Sequence, residues 1–598
     1  MSKLTAIWDI EIYRNYFLLA FMNADTGRVT TFEACDDEPL AKDDRETIRK
    51  ILNTYMIIGF NTHNFDLPIL SAALSGFTPA RMKEICDAII LHSRKPWHIE
   101  QQFKIQLVKP KNSIDLIEVA PGIASLKLYA GRMHAQKMQD LPIEPEAIIS
   151  KSDRQSLREY CVNDLNATLM LYKKLEPQIA LREEMGKVYG LDLRSKSDAQ
   201  IAESVLKKQV EELSGTQVYR HEVNHKFTAK FTAPKFIHKT ETLAPIINML
   251  ESQMFHVNDS GAVIEPEGLK GLVVKIGGGA YRMGIGGLHS SEKKVSHYAD
   301  ADTLLIDRDV ASYYPNIILG SKLAPENMAD HFQTIYQKIL DDRLAAKNSG
   351  DSVTSNTLKI VLNGSFGKLG SKWSILYAPR LLLQVTLTGQ LALLMLIEMI
   401  EDAGIPVVSA NTDGIVIKCP ANRKSELDNI VGAWEIATGF DTEETFYKSL
   451  HSRDVNNYCA VKRDGGFKSK GVYAPAGLSK NPTTEICVGA VVKYLIDGTP
   501  IAETIFDCDD ISKFVAIRKV DGGALDQAGE YLGKAIRWIY ASDVTAPLTY
   551  RRNANKVPAT DGACALMQLP DEWPSNINYR WYVEKSKSML LEMGVSYA

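Results

Sequence analysis

The chain has 598 residues, 45% hydrophobic and 24% charged, with 69 lysines and arginines against 73 aspartates and glutamates. That length exceeds one compact domain and implies about three or four units, and no apolar run reaches the roughly 18 residues of a membrane span. Eight scattered cysteines without a C-x-x-C pair argue against a zinc or iron–sulfur centre and fit a reducing compartment. The net charge of −4 leaves nucleic acid open as a partner, because a basic groove can coexist with an acidic exterior.

The start, MSKLTAIWDIEIY, runs straight into a strand pattern with no signal or transit peptide. Residues 4–12 and 16–22 predict two strands joined by a turn at Arg14-Asn15. The runs 54–60 and 113–119 read as further strands. Residues 153–175 predict a helix, with Ser152 at its N-cap, Gln155 completing a capping box, and Leu157, Cys161, Leu165 and Leu169 as its apolar stripe. Residues 176–300 hold a polar helix (197–214), a basic and aromatic stretch (219–239) and the glycine-rich segment GGGAYRMGIGGLHS (277–290). A second α/β region follows, with a strand at 303–310 and helices at 329–347, 355–369 and 380–403. Its hairpin, 407–410 with 415–418, turns at Asn411-Thr412-Asp413-Gly414. From about 476 onward, helix-like stretches alternate with loops.

Asp9 and Glu11 stand two apart on a strand and leave it on one face. Asn61-Thr62-His63-Asn64-Phe65-Asp66 places a carboxylate just after another strand, where loops build sites. Tyr160 and Asp164 are four apart on the predicted helix and share a face. Four converging carboxylates repel one another unless divalent cations lie between them, and hard oxygen ligands suit Mg²⁺ or Mn²⁺. Two such ions can activate water and stabilise the leaving oxygen of a phosphodiester, with Tyr160 orienting the water. Taken singly, each acid reads as readily as a solvated surface residue, and Tyr160 as core. Asp115, on a nearby strand, is read as structural.

Asp309, with Ser312-Tyr313-Tyr314-Pro315 behind it, closes a buried-looking strand, and Asp413 sits in the hairpin turn. These two carboxylates form a second candidate metal pair. Phosphoryl transfer to a primer 3′-hydroxyl needs two metals, in-line positioning and cations on a triphosphate. Arg343 and Lys347 are i,i+4 on one helix, and Lys359 precedes Asn363-Gly364-Ser365-Phe366-Gly367 on the next. Basic pairs of this kind also occur as plain solvated helix faces.

In order, D-I-E, N-x-x-x-F-D and Y-x-x-x-D resemble the three exonuclease motifs of the DEDDy proofreading nucleases, with all four acids and the tyrosine present between residues 9 and 164. The second set resembles family B DNA polymerases. Motif A, D-x-x-S-L-Y-P, is matched from Asp309 with Tyr313 for leucine. Motif B, K-x-x-x-N-S-x-Y-G, is matched at Lys359, Asn363 and Gly367, with Gly364 for serine and Phe366 for tyrosine. Motif C, Y-G-D-T-D-S, reads Ser409-Ala410-Asn411-Thr412-Asp413-Gly414, with Asn411 for its first aspartate and the last kept as Asp413. Lys468-Ser469-Lys470-Gly471, after Tyr458, resembles the family's strand at the primer terminus. Gly286 and Gly287 lie where the family has a template-contacting loop; they serve either close approach of phosphates or a simple turn.

The resemblance implies an α/β and α+β multidomain fold, an RNase H-like exonuclease followed by a right-hand polymerase. Residues 1–175 would form the exonuclease and 176–300 the connecting region with the template loop. Palm segments are expected at 301–328 and 375–475, fingers at 329–374 and thumb at 476–598. Two Mg²⁺ or Mn²⁺ ions are implied per active site, held by Asp309 and Asp413 in one, and by Asp9, Glu11, Asp66 and Asp164 in the other. Arg343, Lys347 and Lys359 would grip the triphosphate. Tyr314 would exclude a 2′-hydroxyl, and Asn363 and Phe366 would line the nascent base pair. Lys468, Lys470, Tyr458, Gly286 and Gly287 would touch DNA. Primer–template DNA and dNTPs are the implied partners of a monomer without membrane attachment in the cytoplasm, that of a host if phage-encoded. A processivity factor, helicase or single-strand-binding protein fits as an accessory. An exonuclease beginning at residue 9, and only 50 residues between Asp309 and Lys359, match a compact bacteriophage-type layout without a protein-priming insertion. An exonuclease with a weakened polymerase half, and a non-catalytic primer–template binding subunit, remain the alternatives.

Overall fold

The computed structural model describes residues 4–229 and 240–597, apart from the side chains of 329 and 330; residues 230–239 of the basic and aromatic stretch lie outside them. The chain forms two compact units. One takes Met1–Ser197, Pro475–Ile486 and Ile505–Tyr582, the other Asp198–Ala474, Cys487–Thr504 and Val583–Ala598. Residues 476–598, expected as one thumb, are thus shared between the two.

The first unit is built on β1 (Thr5–Tyr13), β2 (Tyr16–Asn23), β3 (Val29–Cys35), β4 (Met56–Gly59) and β5 (Ser113–Asp115), in the order β3-β2-β1-β4-β5. β1 and β2 form the expected hairpin, Tyr13 facing Tyr16, while β4 runs parallel to β1 and β5 parallel to β4. β1 is buried on both faces, and its period of two sorts its residues. Ala6, Trp8, Ile10 and Ile12 pack with Leu67, Ile69 and Leu70. Ile7 and Tyr13 pack with Leu157, Cys161 and Leu165 of the helix Asp153–Tyr189. Asp9 and Glu11 share the odd-numbered face and are therefore turned toward that helix.

Three local expectations change. The strand at 113–119 stops at Asp115, whose carboxylate accepts the Ile117 N–H at 3.2 Å and starts a helical turn, Leu116–Val119. The 153–175 helix continues to Tyr189 through Pro177, and it has no capping box. Ser152 Oγ pairs with Ser150 Oγ at 2.7 Å, and the Gln155 amide donates to Glu159 at 2.8 Å. The stretch after 476 is not helix and loop alone: Ala516–Leu525 and Tyr531–Tyr540 pair antiparallel within a four-stranded sheet, flanked by Thr549–Tyr550 and Ala563–Ala565. Arg537 hides that strand in the sequence. It is fully buried, and its guanidinium donates to the carbonyls of Ala135 and Leu566, each at 2.7 Å.

In the second unit Thr303–Val310 lies in a large sheet between Thr442–Asp454 and Gly414–Pro420. Val407–Asn411 follows on one side, and Asn457–Lys462 then Phe467–Lys470 on the other. The helix Ser352–Leu369 begins three residues before its expected start because Asp351 accepts the Thr354 N–H at 3.0 Å. Its Gly364 answers to packing. A Cβ there would stand 2.6 Å from the Asp198 carbonyl oxygen of the helix Asp198–Ser214, so serine is not accommodated. The helix Pro379–Asp402 is long and apolar enough to cross a membrane, but 94% of its most apolar stretch is buried inside the unit. It acts as a core helix, with Trp434 Nε1 donating to its Ala392 carbonyl at 2.9 Å.

Candidate active sites

Three elements of the first unit bring the predicted acids together. β1 supplies Asp9 and Glu11, the helix Asp66–Leu74 supplies Asp66 at its first residue, and Asp153–Tyr189 supplies Tyr160 and Asp164. Glu11, Asp66, Tyr160 and Asp164 are all buried. Asp115 orders the approach to Asp66, accepting the N–H groups of Asn61 (2.7 Å) and His63 (2.9 Å); Asn61 itself is left-handed, at φ 62°. Asp115 is therefore a loop anchor, as its position suggested.

Electrostatically the cluster is under tension. Burial, then the Asp164 charge, pushes the Asp9 carboxyl up to about 8. Burial and Asp9 raise Glu11 well above its ordinary value, and burial, Asp9 and Asp115 do the same to Asp66. Asp164 is raised to about 6, chiefly by burial, with Lys127 and the Tyr160 hydroxyl opposing. Burial and then the neighbouring carboxylates raise Tyr160, so its hydroxyl stays protonated and acts as a donor. Asp66 Oδ1 is buried without a hydrogen-bond partner. A buried orphan oxygen among mutually repelling carboxylates is what a divalent cation satisfies, so the residues fit such an ion.

Two contributors escaped sequence reading. Lys127, on the helix Leu126–Arg132, lies 4.9 Å from the centre of the Tyr160 ring and pairs with Asp140 at 2.7 Å. Asp140 is held in turn by the Tyr531 hydroxyl at 2.9 Å. Cys161, read as apolar stripe, has its sulfur within 4.8 Å of carboxylate oxygens of Asp9 and Glu11.

The second unit holds a cleft of about 350 Å³ lined by Asp309, Asp413, Tyr458, Lys468 and Lys470, among others. Asp309, one residue before the end of its strand, lies opposite Gly414, and Asp413 sits in the adjoining turn, its carbonyl accepting the Val310 N–H at 2.7 Å. Gly414 leaves room for this carboxylate: a Cβ there would collide with Asp309 Oδ1. Burial and then Asp309 raise the Asp413 carboxyl. Thr412, at φ 63°, donates its N–H to Leu288 at 2.8 Å. Gly287 lies beneath, where a Cβ would meet Thr412 Oγ1 at 2.6 Å; at Gly286 the space is open. Gln390 fixes this loop through the carbonyls of Gly284 (2.8 Å) and Gly286 (2.7 Å).

Asp307 joins the set unforeseen, though strand alternation places it on the Asp309 face. It is buried, bonded by the Tyr447 hydroxyl, and shares Lys468 with Asp309, at 3.0 and 3.2 Å respectively. Burial opposes the Lys468 charge, but Asp307 and Asp309 outweigh it and raise the ammonium. The carboxylate oxygens of Asp309 and Asp413 are hard donors that fit Mg²⁺ or Mn²⁺.

Of the predicted triphosphate cations, Arg343 donates to Ser312 Oγ at 2.7 Å and keeps a buried Nε without a partner. Lys347 pairs with Glu443 at 2.6 Å. Lys359 and Asn363 stand exposed on their helix, and one turn further Phe366 packs against Tyr314, ring centres 4.4 Å apart. Burial and then Asp413 push the Tyr314 hydroxyl up to about 12.

No protein-family model matches the chain. Over 122 residues, 20% of its length, it is 26% identical to DNA polymerase 1 of Saccharolobus solfataricus, and that stretch spans 14% of the polymerase. Its fold is similar to a family B DNA polymerase from the hyperthermophilic archaeon Pyrobaculum calidifontis, at 16% identity and a TM-score of 0.42, over 100% of this chain and 79% of that one.

Proposed function

We propose that the chain is a template-directed DNA polymerase that extends a primer 3′ end with dNTPs and carries its own 3′→5′ proofreading exonuclease. The observation that carries this reading is the existence of two separate acid clusters, one around Asp9 and Glu11 and one around Asp309 and Asp413, each built from the residues of a different motif set. A protein that only bound DNA would need neither.

In the nuclease, Asp9, Glu11, Asp66 and Asp164 would hold two divalent cations. Bound there, such cations lower the pKa of water and neutralise the leaving phosphodiester oxygen. Tyr160 would orient the water as a donor, and Lys127 would balance the acid charge. In the polymerase, Asp309 and Asp413 would hold two Mg²⁺ or Mn²⁺ ions. Arg343 and the exposed Lys359 would meet the triphosphate, with Lys347 assisting. Tyr314, braced by Phe366, would close the space beside the sugar, and Asn363 would line the base pair. Lys468, Lys470, Tyr458 and the Gly286-Gly287 loop would follow the primer–template. The exonuclease would occupy 1–175, the palm 301–328 and 375–475, and the fingers 329–374. The short spacing between Asp309 and Lys359 supports a compact, phage-type layout.

A labelled primer–template incubated with Mg²⁺, with and without dNTPs, tests the reading. Extension with dNTPs and shortening without them is expected. Shortening under both conditions would leave only a nuclease, and an unchanged primer would leave only a binding protein.

A further inference from the structure

Among the described residues, Asp9, Glu11 and Cys161 are the one trio of ligand-type side chains whose donor atoms all lie within 4.8 Å of one another. Two of the donors are hard oxygens and the third is a soft sulfur, a combination that Mg²⁺ has no use for. Cys161 is held there by the fold. It follows Tyr160 on the helix Asp153–Tyr189, fully buried in the same core as Ile7 and Tyr13 of β1. A second observation points to a ligand at the same place: Asp66, 2% exposed, has Oδ1 without any partner, and its charge acts on both Asp9 and Cys161.

We propose that this cluster is a mixed carboxylate–thiolate site that binds a thiophilic divalent cation, Zn²⁺ or Cd²⁺, through Asp9, Glu11 and Cys161, with the unpartnered Asp66 Oδ1 offering a further oxygen. Tetrahedral ligands about 2.0–2.3 Å from zinc stand roughly 3.5 Å from one another, so side-chain adjustment closes the cluster without moving β1 or the helix. Binding exchanges the thiol proton, and the protons that burial holds on the Asp9 and Glu11 carboxyls, for the metal, and these protons leave to solvent. The consequence rests on the nuclease reading. A cation held by sulfur would displace the oxygen-bound ions, so Zn²⁺ would silence shortening of a primer.

The full-length protein, freed of metal and kept reduced, is titrated with Cd²⁺ while the thiolate-to-cadmium charge-transfer absorbance is followed. A saturable band is expected in the wild type and not in Cys161→Ser. Binding in that variant should be weaker by at least about tenfold, the low end of what even outer-shell losses cost a metal site. The Asp9→Asn, Glu11→Gln double variant, with every cysteine intact, should lack the band too, and it carries the test alone if Cys161→Ser does not fold. An equal band in Cys161→Ser, a band kept in the double variant, or no saturable band in the wild type overturns the proposal. Shortening of a labelled primer by the wild type with Mg²⁺ is scored separately. A band without shortening keeps this site and removes the nuclease; shortening without a band does the reverse.

Discussion

Asn411 donates its side-chain amide to the Val455 carbonyl at 2.7 Å, while its Oδ1 accepts the Thr412 hydroxyl at 3.2 Å. The turn carrying Asp413 is thus tied to the Asp454–Asn457 corner by a donor that an aspartate lacks. This gives the altered motif C a structural reason, since the family's first aspartate would face a carbonyl here and add charge beside Asp413. Asn411→Asp, although it restores the family pattern, is expected to destabilise the protein by about 1–3 kcal/mol and to leave primer extension no faster. Denaturant unfolding and an extension assay check this. A variant as stable as the wild type, or faster, would contradict it.

Lys127 is a cation whose charge acts on Asp9, Glu11 and Asp164, and Asp140 aims it. Lys127→Met keeps the apolar stem and removes the charge. Nuclease activity should fall by about 10–100-fold, as for losses of groups that support metal ligands, while extension stays at the wild-type rate. Equal losses in both assays would point to a general folding defect instead.

Stability of the metal-free protein should depend on pH in an unusual direction. Asp9 and Asp164 hold their protons to about 8 and about 6 in the native state, against 3.8 as ordinary carboxyls. The native state therefore binds more protons than the unfolded chain across that window, so stability declines as pH rises from about 4 to about 8. Thermal midpoints without metal should fall over this range and recover when Mg²⁺ is added at the alkaline end. The decline should be smaller in the Asp9→Asn, Glu11→Gln variant. Equal slopes in the two proteins would show that these acids do not govern it.

What the sequence revealed follows from periodicity. Asp9 and Glu11 were legible because a strand alternates, and Tyr160 with Asp164 because a helix repeats every turn. Asp307 was legible by the same alternation and went unread because no motif names it. Lys127 was not legible at all, since its place depends on Asp140 and on Tyr531 from a segment far along the chain. The strand around Arg537 went unread: a charge in a strand reads as surface, whereas this one is buried against backbone carbonyls that no sequence pattern announces. Gly364 looked like a worn motif and is a contact with Asp198 instead.

The claim of two independent catalytic centres is tested most directly by one paired measurement: primer extension and primer shortening in Mg²⁺ by Asp413→Ala and by the Asp9→Ala, Glu11→Ala double variant. Asp413→Ala should abolish extension and retain shortening, and the double variant should retain extension and abolish shortening. Loss of both activities in either folded variant would contradict the account.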